Sequence, residues 1–175
     1  MVEPQHDPDA VEARVRAHLD RLGATYELIE IDPQRANTAA FCEHYGYPLE
    51  TSGNCIVVAS KTGARQHVAC VVPATMQLDV NRTVRKRMGV RKASFAPAGE
   101  TVALTGMLPD GVTPFGLPDT PRGPFPVYVA PELCEHERVI VGGGSRRVKI
   151  HVDPEVFTRM PGAEIVPDLA RAPGG

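Results

Sequence analysis

The chain has 175 residues, 42% hydrophobic and 23% charged, with a formal net charge of -2 and no tryptophan, which fits one globular domain around an apolar core and excludes a disordered chain. So small a negative charge exerts no overall pull on nucleic acid, so any such contact must come from a local patch. The scarcity of aromatic residues argues against a sugar-stacking surface, and no apolar run approaches the ~20 residues of a membrane span.

The start, "MVEPQHDPDAVEARV", lacks the basic region and apolar run of a leader. Asp7 followed by Pro8 reads as the cap and first residue of a helix, with Val11, Val15, Leu19 and Leu22 on one face and Gly23 closing it. "TYELIEI" alternates as a strand, and "TAAFCEHYG" reads as a short helix ended by Gly46. "CIVVAS" and "QHVACVV" form a hairpin around "KTGA". Asp79 caps a helix through Met88, stopped by Gly89, with Val80, Val84 and Met88 inward. "KASFA" is extended and leads into a short capped segment. "FPVYVA", "ERVIV" and "RVKIHV" are further strands, the last two joined through "GGGS", and Asp153-Pro154 starts a final short helix. Helices alternate with hairpins, which predicts an α+β fold with a mixed, largely antiparallel sheet or partial barrel flanked by helices. A single domain is expected over residues 1–175, with loose ends at about 1–8 and 170–175.

The four cysteines, Cys42, Cys55, Cys70 and Cys134, show no C-x-x-C spacing and read as reduced thiols. Two "CEH" fragments, at Cys42–His44 and Cys134–His136, suggest metal ligands, but their spacing splits the side chains between faces of a helix. No metal and no cofactor are expected. Cys55 with His67 on the neighbouring strand would be a candidate thiol pair, against the commoner reading of Cys55 as a small core residue.

The segment "TGMLPDGVTPFG", Thr105–Gly116, spaces glycines and prolines at five residues. Glycine lets another molecule approach the main chain and proline stiffens it, so such a loop can offer backbone amides to a carbonyl, carboxylate or phosphate. It can equally be a tight surface connection. Gly142, Gly143 and Gly144 present the same alternative between hairpin turn and cradle. Neither phosphate-binding glycine motif occurs in the loop. The run "RTVRKRMGVRK" gathers Arg82, Arg85, Lys86, Arg87, Arg91 and Lys92, either as a solvated helix face or as a nucleic-acid patch that Arg146 and Arg147 would extend.

Three stretches in order, "VVPATMQLDVNRTVRKRMGVRKASFAPAGE", "TGMLPDGVTPFGLP" and "ERVIVGGGSRRVKIHVDPEVF", closely resemble the YbaK, or prolyl-tRNA-editing-domain, superfamily of aminoacyl-tRNA deacylases. The likeness runs from about Asp20 to the end. It implies a freestanding trans-editing hydrolase in the cytoplasm, acting on mischarged aminoacyl-tRNA, with an aminoacyl-tRNA synthetase as a second candidate partner. It places the terminal adenosine and its amino acid between the loop and the sheet. Thr105, Gly106, Thr113, Pro114, Phe115 and Gly116 would form the wall, Gly142, Gly143 and Gly144 a turn beside it, and Tyr26 and Cys55 would border the substrate. Arg82, Arg85, Lys86, Arg87 and Arg146 would meet tRNA. The family lysine on the first hairpin strand is replaced by Asn54, and the family aspartate after the glycine turn by Lys149. Asn54, Gly106 and Lys149 are therefore the expected catalytic groups, with Lys149 restoring the missing charge. The alternative that follows from the lost lysine is a module that binds aminoacyl-tRNA or a related ligand without hydrolysis.

Overall fold

A computed structural model of the chain describes residues 6–174. Helix α1, Pro8–Arg21, opens where the Asp7 carboxylate accepts from the amides of Asp9 and Ala10. Its spacing buries Val11, Val15 and Leu19, each such burial contributing roughly 1.5–3 kcal/mol. Strand β1, Tyr26–Glu30, follows, then α2, Thr38–Tyr45, capped by Asn37 and ended by left-handed Gly46. The hairpin pairs β2, Gly53–Ser60, with β3, His67–Pro73. Its centre is apolar on both faces because both are covered, which explains the unbroken "IVVA" run.

Strand β4, Gln77–Leu78, precedes the Asp79-capped helical stretch. Its first part, Val80–Val84, is wound as a π-helix and only Arg85–Met88, α3, is α-helical. Val84 is buried, whereas Val80 and Met88 are only partly so. Strand β5, Ala93–Phe95, leads into α4, Ala98–Thr105. Then come β6, Val127–Val129; β7, Val139–Gly142; β8, Val148–Val152; α5, Val156–Arg159; β9, Ala163–Ile165; and β10, Ala170–Arg171.

The fold is α+β, with unclosed sheets flanked by helices. The larger sheet runs β5-β2-β3-β6-β9, antiparallel through β3 and parallel from β3 to β9; a second runs β1-β8-β7, all antiparallel; β10 pairs with β4. The sequence anticipates the hairpin and β6 to β8 but misses β9 and β10. Residues 170–171, expected in a loose tail, are paired to β4. At the other end, the expected loose stretch 1–8 falls partly on residues 1–5, outside the described ones, while Asp7 and Pro8 already belong to the cap of α1. Asp153 begins a turn rather than a helix, whose first residue is Val156.

The main core lies between the two larger sheets under α1, and a second covers the other face of the hairpin beneath the π/α3 stretch. Helix α1 fastens the Gly-Pro loop from behind. Arg14 donates from Nε to the Gly116 carbonyl at 2.7 Å and from Nη2 to the Thr105 carbonyl at 2.6 Å. The Gly116 amide donates to His18 Nδ1 at 2.8 Å, and His6 Nδ1 donates to the Gly106 carbonyl at 2.7 Å.

Candidate active site

A cleft of about 550 Å³ opens along β2, a volume within the usual range for small-molecule sites. One wall comes from Ala96, Ala98 and Thr101 at the β5–α4 junction, and the facing wall from Asn37, Thr38, Ala39 and Leu49. Residues 53–57 of β2 line the cleft as well, together with Pro109, Asp110, Val112, Gly142 and Lys149.

Lys149 stands on β8, opposite Gly142 of β7, with 4% of its surface exposed. Its ammonium donates to the Ala36 carbonyl at 2.6 Å and the Asp110 carbonyl at 3.2 Å, and lies 5.8 Å from the centre of the Phe41 ring. One lysine thus ties both sides of the cleft together. Burial lowers its pKa, with the Asp110 carboxylate opposing the shift. Two of its three N–H donors are used by these carbonyls. Asn54 is oriented by Thr38, whose hydroxyl donates to Asn54 Oδ1 at 2.6 Å. That leaves the Asn54 NH₂ group donating to no described residue.

Of the residues singled out in the sequence, Asn54, Cys55, Gly142 and Lys149 line the cleft. The expected wall residues of the Gly-Pro loop do not. Phe115 is fully buried and stacks on Phe157 at 5.7 Å. Thr113 is equally buried, and the Thr105 hydroxyl is spent on the Thr101 carbonyl at 2.7 Å. Pro114 and Gly116 face α1 on the far side, beside Arg14 and His18. Gly106 is the left-handed stop of α4. Only the middle of the loop, from Pro109 to Val112, reaches the cleft.

The glycines instead let the chain pack on itself. The Gly144 amide donates to the Gly111 carbonyl at 2.7 Å, and a Cβ on Gly111 would come within 2.8 Å of the Ser145 carbonyl oxygen. Gly143 borders a different hollow, beside Glu12 and Leu28. Tyr26 lies on β1 outside the cleft lining, its hydroxyl donating to Asp20 at 2.7 Å; burial first, and then Asp20, push it up to about 12.

Burial also pushes the Cys55 thiol up to about 12, so it carries no thiolate near neutrality. In the hairpin register Cys55 faces Val71, four positions from the Ala59–His67 pair. His67 is held instead by Glu100 at 2.9 Å. Neither "CEH" fragment joins a cluster: among the described residues no group of three His, Cys, Asp or Glu side chains could hold a metal ion.

Of the basic residues, Arg82 and Lys86 are exposed and form no ion pair among the described residues, Arg87 pairs with Glu164, and Arg85 donates to the carbonyls of Asn81 and Arg91. Arg147 is held by Glu12 and Asp9. Arg146 donates to the Pro109 carbonyl at 3.0 Å, on the cleft rim. The cleft residues that the sequence did not single out include Asn37, Thr38, Leu49, Thr101 and Asp110. Asp110 adopts φ 67, for which the "PDG" turn was the available signal.

Residues 32–160 match the family described as Aminoacyl-tRNA editing domain, so the chain belongs to that family. Among curated proteins it is 29% identical over 102 residues to a candidate Cys-tRNA(Pro)/Cys-tRNA(Cys) deacylase of Enterococcus faecalis, EbsC. That alignment covers 58% of this chain and 57% of the relative's length. Among solved structures, the hypothetical protein APE2540 superposes with a TM-score of 0.78 at 24% identity, covering 90% of this chain and 99% of that one. A candidate trans-editing enzyme for prolyl-tRNA synthetase superposes with a TM-score of 0.73 at 21% identity, covering 91% and 95%. These superpositions speak to the shared fold. No described helix is long and apolar enough to cross a membrane.

Proposed function

We propose that the chain is a freestanding trans-editing deacylase that hydrolyses the ester of mischarged aminoacyl-tRNA in the cytoplasm. The observation that carries the reading is the buried Lys149 ammonium at the end of a cleft large enough for an aminoacylated ribose. In the reaction a water oxygen bonds to the ester carbonyl carbon, the bond from that carbon to the ribose oxygen breaks, and the water proton passes to the departing ribose oxygen. Negative charge gathers on the carbonyl oxygen in between. Lys149, with its charge and remaining N–H, and the free NH₂ of Asn54 are the side-chain groups available to stabilise it. Lys149 thereby replaces, from β8, the cation that relatives carry at the position of Asn54. Gly106, away from the lining, acts by ending α4 and setting the course of the loop. Arg82, Lys86 and the rim residue Arg146 are the cations assigned to the tRNA backbone, and a synthetase that delivers the tRNA is a further partner in this reading.

The test is a set of mischarged tRNAs incubated with the pure protein, beginning with cysteinyl-tRNA(Pro). Hydrolysis above background is expected, with Lys149→Ala and Asn54→Ala each lowering the single-turnover rate about 10²–10³-fold. Equal indifference to both substitutions would remove these residues from the chemistry. No hydrolysis of any member of the set, alongside retained tRNA binding, would replace the enzyme by a binding module.

A further inference from the structure

The edge of β2 that faces away from β3 has a gap at the cleft: β5 pairs with Val58 to Ser60, and a parallel bridge joins Ser52 to Ile140 of β7. In the β2–β3 ladder the Ser60 amide donates to Gln66 and the Ala74 amide to Ser52. Even-numbered residues of β2 therefore turn their main-chain groups towards β3. Odd-numbered ones face the other way: the Lys61 amide donates to the Lys92 carbonyl and the Val57 carbonyl accepts from Ala96, both at 2.8 Å. Continued in the same register, the partner chain would next meet Cys55. It does not, because Ala98, the residue that this register would set opposite Cys55, is already the first residue of α4. Among the described residues no strand pairing on that edge of β2 includes Cys55, whose N–H and C=O stand side by side there at the cleft.

An α-aminoacyl ester has the atoms of a single strand residue: an ammonium nitrogen, an α-carbon and a carbonyl. We propose, resting on the deacylase reading of this cleft, that the substrate's aminoacyl group docks on Cys55 as a one-residue strand. Its ammonium donates to the Cys55 carbonyl and its ester carbonyl accepts from the Cys55 amide, the two-bond ring of an antiparallel pair. The Cys55 amide is then a main-chain donor to the oxyanion, already in place before substrate arrives. Residues paired in this way carry their side chains on the same face. The amino acid's side chain therefore lies on the face of Cys55, which with Val112 lines the cleft and packs partly against the main core. Cys55 and Val112, with Val57 on the same strand face, belong to the surface that sorts amino acids by size.

The test compares Cys55→Pro with Cys55→Ala. Both lose the thiol, but only proline removes the amide hydrogen, and it does so on the edge away from the β3 ladder, where proline is tolerated. Two readouts are used: binding of 3′-alanylamino-3′-deoxyadenosine, which is not an ester, by calorimetry, and single-turnover hydrolysis of the tRNA substrate. Relative to Cys55→Ala, proline is expected to weaken binding at least tenfold and to slow hydrolysis about 10²–10³-fold. A second arm needs no variant and so survives misfolding of Cys55→Pro: the lactoyl counterpart of the adenosine probe, lacking the ammonium, should bind the wild-type protein at least tenfold more weakly than the alanyl form. Equal behaviour of the two variants, equal affinity for the two probes, or no binding of the alanyl probe overturns the docking. A protein that binds in this pattern but hydrolyses nothing keeps the docking and loses the deacylase; one that hydrolyses identically as alanine and proline variants does the reverse.

Discussion

Replacing Lys149 by methionine separates the structural share of that residue from its chemical one. Methionine keeps most of the stem and removes the charge and the donors. The Ala36 carbonyl belongs to a buried residue, so losing its 2.6 Å donor strands a buried acceptor at a cost of about 1–3 kcal/mol. The Asp110 carbonyl belongs to an exposed residue and can take water instead. Relief from holding an ammonium out of water works in the opposite direction, partly offset by the lost contact with the Phe41 ring face, 5.8 Å away. A net loss of about 1–2 kcal/mol remains, which for a chain of this size is a fall in Tm of roughly 2–8 °C. Circular dichroism melts at pH 7 give the number. The pH dependence supplies an independent check. Because the lysine's folded pKa lies below its ordinary 10.5, the folded protein sheds that proton first, and wild-type stability relative to Lys149→Met should rise as pH climbs through the lowered pKa towards 10.5. A Tm that is unchanged or raised in the methionine variant would show that desolvation outweighs the two carbonyl bonds, and the picture of one lysine fastening the cleft would fail.

Two further outcomes follow from the same geometry. Gly116 sits at φ 70, where an added Cβ would come 2.9 Å from the Val15 Cα. Gly116→Ala should therefore cost about 2–4 kcal/mol in urea unfolding, summing a left-handed backbone and an overpacked contact. Gly63→Ala, at φ 72 with nothing within 4 Å, should show only the backbone share, and equal losses in the two variants would contradict the packing of the loop on α1. Glu100 is held down to about 2, first by Arg65 and then by His67. Its contribution is complete above its ordinary 4.5 and disappears as pH falls through about 2. The urea midpoint of wild type should exceed that of Glu100→Gln at pH 7, and the gap should shrink steadily below pH 4.5; a constant gap would mean that the carboxylate is not the group responsible.

Local features of the fold were legible because they depend on neighbours in sequence. Asp7 and Gly46 act as cap and stop through their own backbone and side-chain geometry, and the β2–β3 hairpin declares itself by two apolar runs around a turn. What escaped is non-local. Nothing in "AEI" or "AR" says that these short runs pair with β6 and β4, because the partners supply the pattern. The site was half legible for a related reason. Resemblance pointed to Asn54, Cys55, Gly142 and Lys149, but the loop's composition only says that the chain passes something closely. It does not say that the close neighbour is the protein itself, at Ser145 and Val15, or that Phe115 turns inward. Thr38 and Asn37 escaped because nothing in the "ANT" segment says that the start of α2 lies against Asn54 of β2.

The grip of α1 on the loop bears on how this cleft can vary. Residues 109–112 hang between two ends, near Thr105 and Gly116, that are both anchored by Arg14. The stretch is held through its main-chain carbonyls, so Val112, which lines the cleft, can change to suit different guests while Gly111, packed against Ser145, keeps the shape of the entrance. The stiffness of that lip is shared between Arg14 at its two ends and the three donors, Arg146, Lys149 and the Gly144 amide, that hold its carbonyls.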